Sequence, residues 1–157
     1  MKPTSLQEIK KELNEITPAT LLELTMRLAK YKKENKELLA YLLFEAKDEG
    51  TFIKKNKESI DEQFSEMNRS NLYLAKKSLR KILRTVNKNI KFSGSAQTAV
   101  ELLGYFSLKL KKSGIPIAKN SVIGNMYEQQ LKKINSHLSK MHEDLQYDYS
   151  KLLEGLV

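Results

Sequence analysis

ELLAYLLFEAKDEGTFIKKN (residues 37–56) and ELLGYFSLKLKKSGIPIAKN (residues 101–120) align without a gap and agree at nine of twenty positions. The identities are Glu37/Glu101, Leu38/Leu102, Leu39/Leu103, Tyr41/Tyr105, Lys47/Lys111, Gly50/Gly114, Ile53/Ile117, Lys55/Lys119 and Asn56/Asn120. In each copy the leucines recur at helical spacing, with Tyr41 or Tyr105 on the same apolar face. Gly50 and Gly114 stand where a helix would end in a left-handed residue, which glycine adopts without a Cβ clash. Ile53 and Ile117 can fold back onto a core. Asn56 and Asn120 are placed to cap the next helix, since an Asn side chain accepts from an orphan N–H. Each copy reads as helix, glycine stop, anchored connector and capped helix. The match runs through a connector where no helical pattern demands it, so the spacing points to an internal repeat.

The totals suit one all-helical domain over residues 1–157. Of these, 30% are charged and 40% apolar, with only 3 prolines and 6 glycines, too few for a turn-rich sandwich or barrel. No cysteine is present, which excludes disulfides, thiolate metal sites and cysteine nucleophiles. No apolar run has the length of a membrane span, and Met1–Glu8 carry no signal-type segment; a cytoplasmic location is expected.

The net charge of +9 is concentrated. Residues 1–66 hold 12 Lys/Arg and 13 Asp/Glu, residues 67–127 hold 12 Lys/Arg and only Glu101, and residues 128–157 hold 4 Lys/Arg and 5 Asp/Glu. The excess therefore lies in the middle third, where it bears on partners more than the overall charge does.

In chain order, Ser5 with Glu8 has capping-box spacing for a first helix to about Glu15, whose stripe of Leu6, Ile9, Leu13 and Ile16 should pack on the body. Thr17-Pro18 opens a second helix to about Lys33, with Leu21, Leu22, Leu24, Leu28 and Tyr31 inward. After a break over residues 32–36, the first repeat copy forms the third helix. A fourth follows Asn56, with Ile60, Phe64 and Met67 on one face. A fifth, about Ser70–Ile90, is the most polarised. Leu72, Ala75, Leu79, Ile82, Leu83, Val86 and Ile90 fall within about 100° of arc, opposite the cations. Ser95 caps a sixth, the second repeat copy. The last helix, about Ser121–Glu154, carries a seam of Tyr127, Leu131, Ile134, Leu138, Met141 and Leu145 stepping 4, 3, 4, 3, 4.

Six or seven helices are thus expected, as two stacked helix-pair repeats with a long C-terminal helix. The arrangement resembles a short α-solenoid, or superhelix, of HEAT-like architecture. No HEAT signature residues occur and the 64-residue offset exceeds the usual ~40–47, so no family is identified. An ordinary helical bundle is the alternative.

No catalytic constellation emerges. His137 and His142 are five apart, about 140° around a helix, and cannot share a metal as an i,i+4 pair could. The adjacent acids Asp48/Glu49 and Asp61/Glu62 point to different sides. There is no Gly-rich phosphate loop and no nucleophile or zinc motif. No catalytic, cofactor-binding or metal residues are assigned, and the chain is expected not to be an enzyme. The feature with functional weight is a basic face: Arg69, Tyr73, Lys76, Lys77, Arg80, Lys81, Arg84, Lys88 and Lys91. Cations in such a row suit phosphates, and a tyrosine among them can stack on an unpaired base. Lys55, Lys109, Lys111, Lys112 and Lys119 could extend it, whereas Glu58, Asp61, Glu62 and Glu66 could neutralise it. The leading expectation is a non-catalytic helical-repeat module that binds a protein partner through a groove. Nucleic-acid or polyanion binding through residues 69–91 is the alternative, and a small-molecule enzyme of unassigned class the third. Homodimerisation through the 127–152 helix is a less favoured arrangement.

Overall fold

A computed structural model describes residues 2–157. The described residues contain eight α-helices, one π-helical turn and no strand, so the all-α class holds with a slightly higher helix count. The helices are α1 (Leu6–Glu15), α2 (Pro18–Tyr31), α3 (Lys33–Ala40), α4 (Glu49–Glu66), α5 (Leu72–Ser93), α6 (Ala96–Lys112), α7 (Val122–Leu138) and α8 (Glu143–Leu156), with the π turn at Tyr41–Glu45. The chain divides into two compact units that meet in sequence at residues 44 and 45, within that turn.

The first unit holds α1, α2 and α3. Ser5 and Glu8 form the expected capping box, and Thr17 caps α2 with Pro18 at its start. Lys32 alone breaks the helix, in extended conformation, and α3 begins at the next residue. The Asn35 side chain donates to the Leu28 carbonyl at 2.8 Å, tying α3 to the end of α2. The expected inward faces are not buried. Leu6, Ile9 and Leu13 of α1 are exposed, and so are Leu21, Leu22, Leu24, Leu28 and Tyr31 of α2. Among the described residues α3 is the one helix packed closely on α2, which leaves these faces uncovered.

The second unit is built around α6, which packs against α4, α5, α7 and α8. Thr98, Val100, Leu102, Leu103, Phe106, Ser107 and Leu110 are all buried, so the helix is enclosed nearly all round. Ile60 and Phe64 of α4, Leu79 and Ile82 of α5, Ile134 of α7 and Leu156 of α8 complete the core. The Phe64 and Phe106 rings meet at 5.7 Å, tilted by 59°. At Gly104 a Cβ would lie 2.7 Å from Leu152 Cδ2, so α8 approaches α6 closely there.

The two copies of the repeat take different local structures. Gly114 has φ +81° just past α6, as a helix stop requires. Gly50 instead lies in the first turn of α4, because the Asp48 side chain accepts from Thr51 N–H at 3.1 Å and caps the helix two residues earlier. Asn56 is therefore mid-helix and buried, donating to the Phe52 carbonyl at 2.8 Å and accepting from Asn89 at 2.6 Å. Asn120 is no cap either: it has φ +67°, and Ser121 caps α7. Tyr41 is buried in the π turn, whereas Tyr105 is half-buried and donates to Asp61 at 2.8 Å. The first copy crosses the boundary between the units and the second lies inside one, so the stacked-pair solenoid loses its matching halves.

The long C-terminal helix is also two helices. The chain turns at Ser139–His142, where His142 caps α8 by accepting from Asp144 N–H. Tyr127, Ile134 and Leu138 of the expected seam are buried in the second unit's own core, which removes them from any coiled coil.

Candidate nucleic-acid interface

The 22 residues of α5 separate their two sides beyond the first turn, where Leu72, expected inward, and Leu74 are exposed. Ala75, Leu79, Ile82, Leu83 and Val86 are buried, while Lys77, Arg80, Lys81, Arg84 and Lys91 are exposed. Asn71 caps its start and Gly94, at φ +67°, ends it, so the helix runs further than Ile90. Tyr73 is exposed, with Lys77 Nζ 5.6 Å from its ring centroid, within range of a cation–π contact. Lys76 and Lys88 are half-buried. Arg69 leaves the face altogether. Its guanidinium donates to the carbonyls of Phe64 at 3.2 Å and Ser113 at 3.4 Å, pinning the loop before α5.

Of the carboxylates expected to neutralise this face, Asp61 is engaged elsewhere, whereas Glu66 lines a small cavity together with Lys81. Asp61 pairs with Lys109 at 2.9 Å and accepts from Tyr105; the hydrogen bond from Lys109 holds its pKa below the usual value. Glu101 accepts from Lys57 and Tyr149, both at 2.7 Å. Burial pushes Glu101 up, and these two donors outweigh it, so its pKa is lowered. Tyr105 and Tyr149 are each pushed up to about 12, by burial first and then by Asp61 and Glu101 respectively. Among the described residues, Lys76, Lys77, Arg80, Lys81, Arg84 and Lys91 have no carboxylate within 4.0 Å. The expected extensions are mostly consumed. Lys55 pairs with Glu45 at 3.1 Å, Lys109 with Asp61, and Lys111 donates to the Gly155 and Val157 carbonyls; Lys112 and Lys119 stay exposed.

Two concave regions adjoin the face. One, of about 460 Å³, is lined by Lys77, Ser78, Arg80, Lys81 and Arg84. The other is a cleft of about 480 Å³ between α5 and α7, to which Arg80, Arg84 and Asn87 contribute from one side and Asn125, Gln129, Gln130 and Lys133 from the other. Leu83, Val122 and Met126 complete a lining that contains no acid. Gln130 is buried; its Nε2 donates to the Met126 carbonyl at 3.0 Å, while its Oε1 has no donor. The Oε1 atom is itself enclosed and does not face the open cleft.

The structure thus gathers Tyr73, Lys77, Arg80, Lys81 and Arg84 of the predicted set and adds residues of α7. Their signal was present as Asn125, Gln129 and Lys133, one helical turn apart, beside the more conspicuous apolar seam of that helix. His137 and His142 do not come together as ligands: His142 Nδ1 accepts from Asp144 N–H, and burial lowers the His137 pKa, with Lys140 and Lys133 adding to the effect. No described helix is long and apolar enough to cross a membrane. No protein-family model matches the chain, and neither the curated proteins nor the solved structures gave a match.

Proposed function

We propose that the chain is a non-catalytic binding module that takes single-stranded nucleic acid along the basic face of α5 and into the cleft between α5 and α7. The acid-free lining of that cleft carries the reading. Cations that no carboxylate has neutralised gain most from phosphates, because each contact releases a condensed counterion. Asn87, Asn125 and Gln129 each offer both a donor and an acceptor, the equipment needed to meet base edges. Exposed Tyr73 offers a stacking surface at the other end of the face. A cleft of this volume admits a base and not a duplex.

Anisotropy of a labelled random-sequence single strand across a salt series tests this. Binding should weaken steeply with salt, and Arg80→Glu with Arg84→Glu should flatten the log–log slope by about 1.4, at ~0.7 for each phosphate no longer neutralised. No binding at low salt overturns the proposal, and equal affinity for duplex overturns the role of the cleft. A protein partner is the second reading, favoured by the exposed apolar side chains of residues 6–44.

A further inference from the structure

We propose that α1 and α2 form a self-association surface, on which the N-terminal unit of one chain packs against that of a second copy. Thirteen large apolar side chains between Leu6 and Phe44 are exposed, against six in the rest of the described chain. Leu6 is 84% and Leu28 64% exposed. Such a density exceeds the scattered apolar surface of ordinary monomers, whose largest patches reach about 300–600 Å². The nine of them on α1 and α2, from Leu6 to Tyr31, leave on the order of 1,000 Å² per chain, against the ~800 Å² per partner of a standard interface.

The pattern suits helix-on-helix packing. Leu6, Ile9 and Leu13 step 3, 4 on α1, and Leu21, Leu24, Leu28 and Tyr31 step 3, 4, 3 on α2. A second stripe, Leu22 and Met26, makes α2 apolar on two sides, the pattern of a helix inside a bundle. Within its own unit α2 has one neighbour of substance, α3.

Charge favours a second copy over other occupants. Residues 2–44 carry 8 Lys/Arg and 6 Asp/Glu, net +2, with both signs interspersed, so two copies can meet without strong repulsion. Residues 45–157 carry 20 against 13, net +7, and would repel their like. An anionic membrane surface calls for a polar face rich in cations. Over α1 and α2 the acids Glu8, Glu12, Glu15 and Glu23 instead equal the cations Lys10, Lys11, Arg27 and Lys30 in number.

Sedimentation velocity of the full chain over a concentration range tests the proposal. A dimer or larger assembly is expected, and Leu24→Glu with Leu28→Glu should weaken it at least about 100-fold. Both side chains are exposed, so the circular dichroism of the variant should match that of the unmodified chain. Leu6→Glu with Leu13→Glu is an independent disruption on α1. A monomer at about 100 μM overturns the proposal, since an interface of this size binds at micromolar affinity or better. An assembly that survives both double variants also overturns it. Capture of the chain on phosphatidylcholine–phosphatidylglycerol vesicles, with no self-association in their absence, overturns it in favour of a membrane surface.

Discussion

Leu38 and Leu102 each follow a glutamate, precede a leucine and stand three residues before a tyrosine, yet Leu38 is 37% exposed and Leu102 is 0% exposed. The contrast runs along both stretches. Leu42 is exposed where Phe106 is fully buried, and Phe44 is exposed where Leu108 is half-buried. Local sequence gives both segments an apolar helical face. What differs is the company: α6 has four helices against it, whereas α3 has α2. Hydrophobic spacing states that a face needs covering and leaves open what covers it. In the second unit the cover is the chain itself; in the first it is proposed to be another copy.

The largest expected difference between the two stretches is in the leucines. Leu102→Ala should destabilise the chain by about 2–5 kcal/mol in denaturant unfolding, the range for an enclosed leucine. At high dilution Leu38→Ala should cost less than about 1 kcal/mol. Equal costs would mean that Leu38 is enclosed too.

Next comes a pH-dependent difference. The lowered carboxyl pKa values of Asp61 and Glu101 give stability that is present above their ordinary values near 3.8 and 4.5 and is lost as pH falls through the lowered ones. The raised hydroxyls of Tyr105 and Tyr149 give stability that is full below pH 10 and lost as pH rises towards about 12. Thermal unfolding against pH should therefore fall off at both extremes. Glu101→Gln with Tyr149→Phe should flatten both limbs, and unchanged limbs would remove this network from the stability of the second unit.

Smaller, and opposite in sign, are the glycines. Gly114→Ala should destabilise by about 1 kcal/mol, because its φ is +81°. Gly50→Ala should be neutral or stabilising by up to about 1 kcal/mol, since a Cβ there meets Asp48 Oδ1 at an ordinary 3.7 Å and the residue is helical. Matching signs would restore the two glycines as equivalents.

What was legible in the sequence was what neighbouring residues decide among themselves. The Ser5–Glu8 box, Thr17-Pro18, the Ser95 cap, the Gly114 stop and the two-sidedness of α5 all follow from interactions within a few residues. Asp48-x-x-Thr51 was just as local, but the alignment with Gly114 favoured Gly50 and masked the cap two residues before it. The turn at Ser139–His142 interrupts a seam whose spacing continues unbroken through Met141 and Leu145, so periodicity alone could not mark it. The destination of Arg69, the pairing of Asp61 with Lys109, and the meeting of Arg80 and Arg84 with Lys133 depend on helix packing, which no spacing encodes.

The central claim concerns a particular cleft and not a generally basic chain. Lys132 and Lys133 are neighbours of identical chemistry, both exposed, but only Lys133 lines the cleft between α5 and α7. Single-strand binding by Lys133→Gln and Lys132→Gln, measured side by side across a salt series, separates the two ideas. Lys133→Gln should reduce the log–log slope by about 0.7 and weaken binding, with Lys132→Gln close to the unmodified chain. Equal effects from both would contradict the cleft and leave only diffuse positive charge.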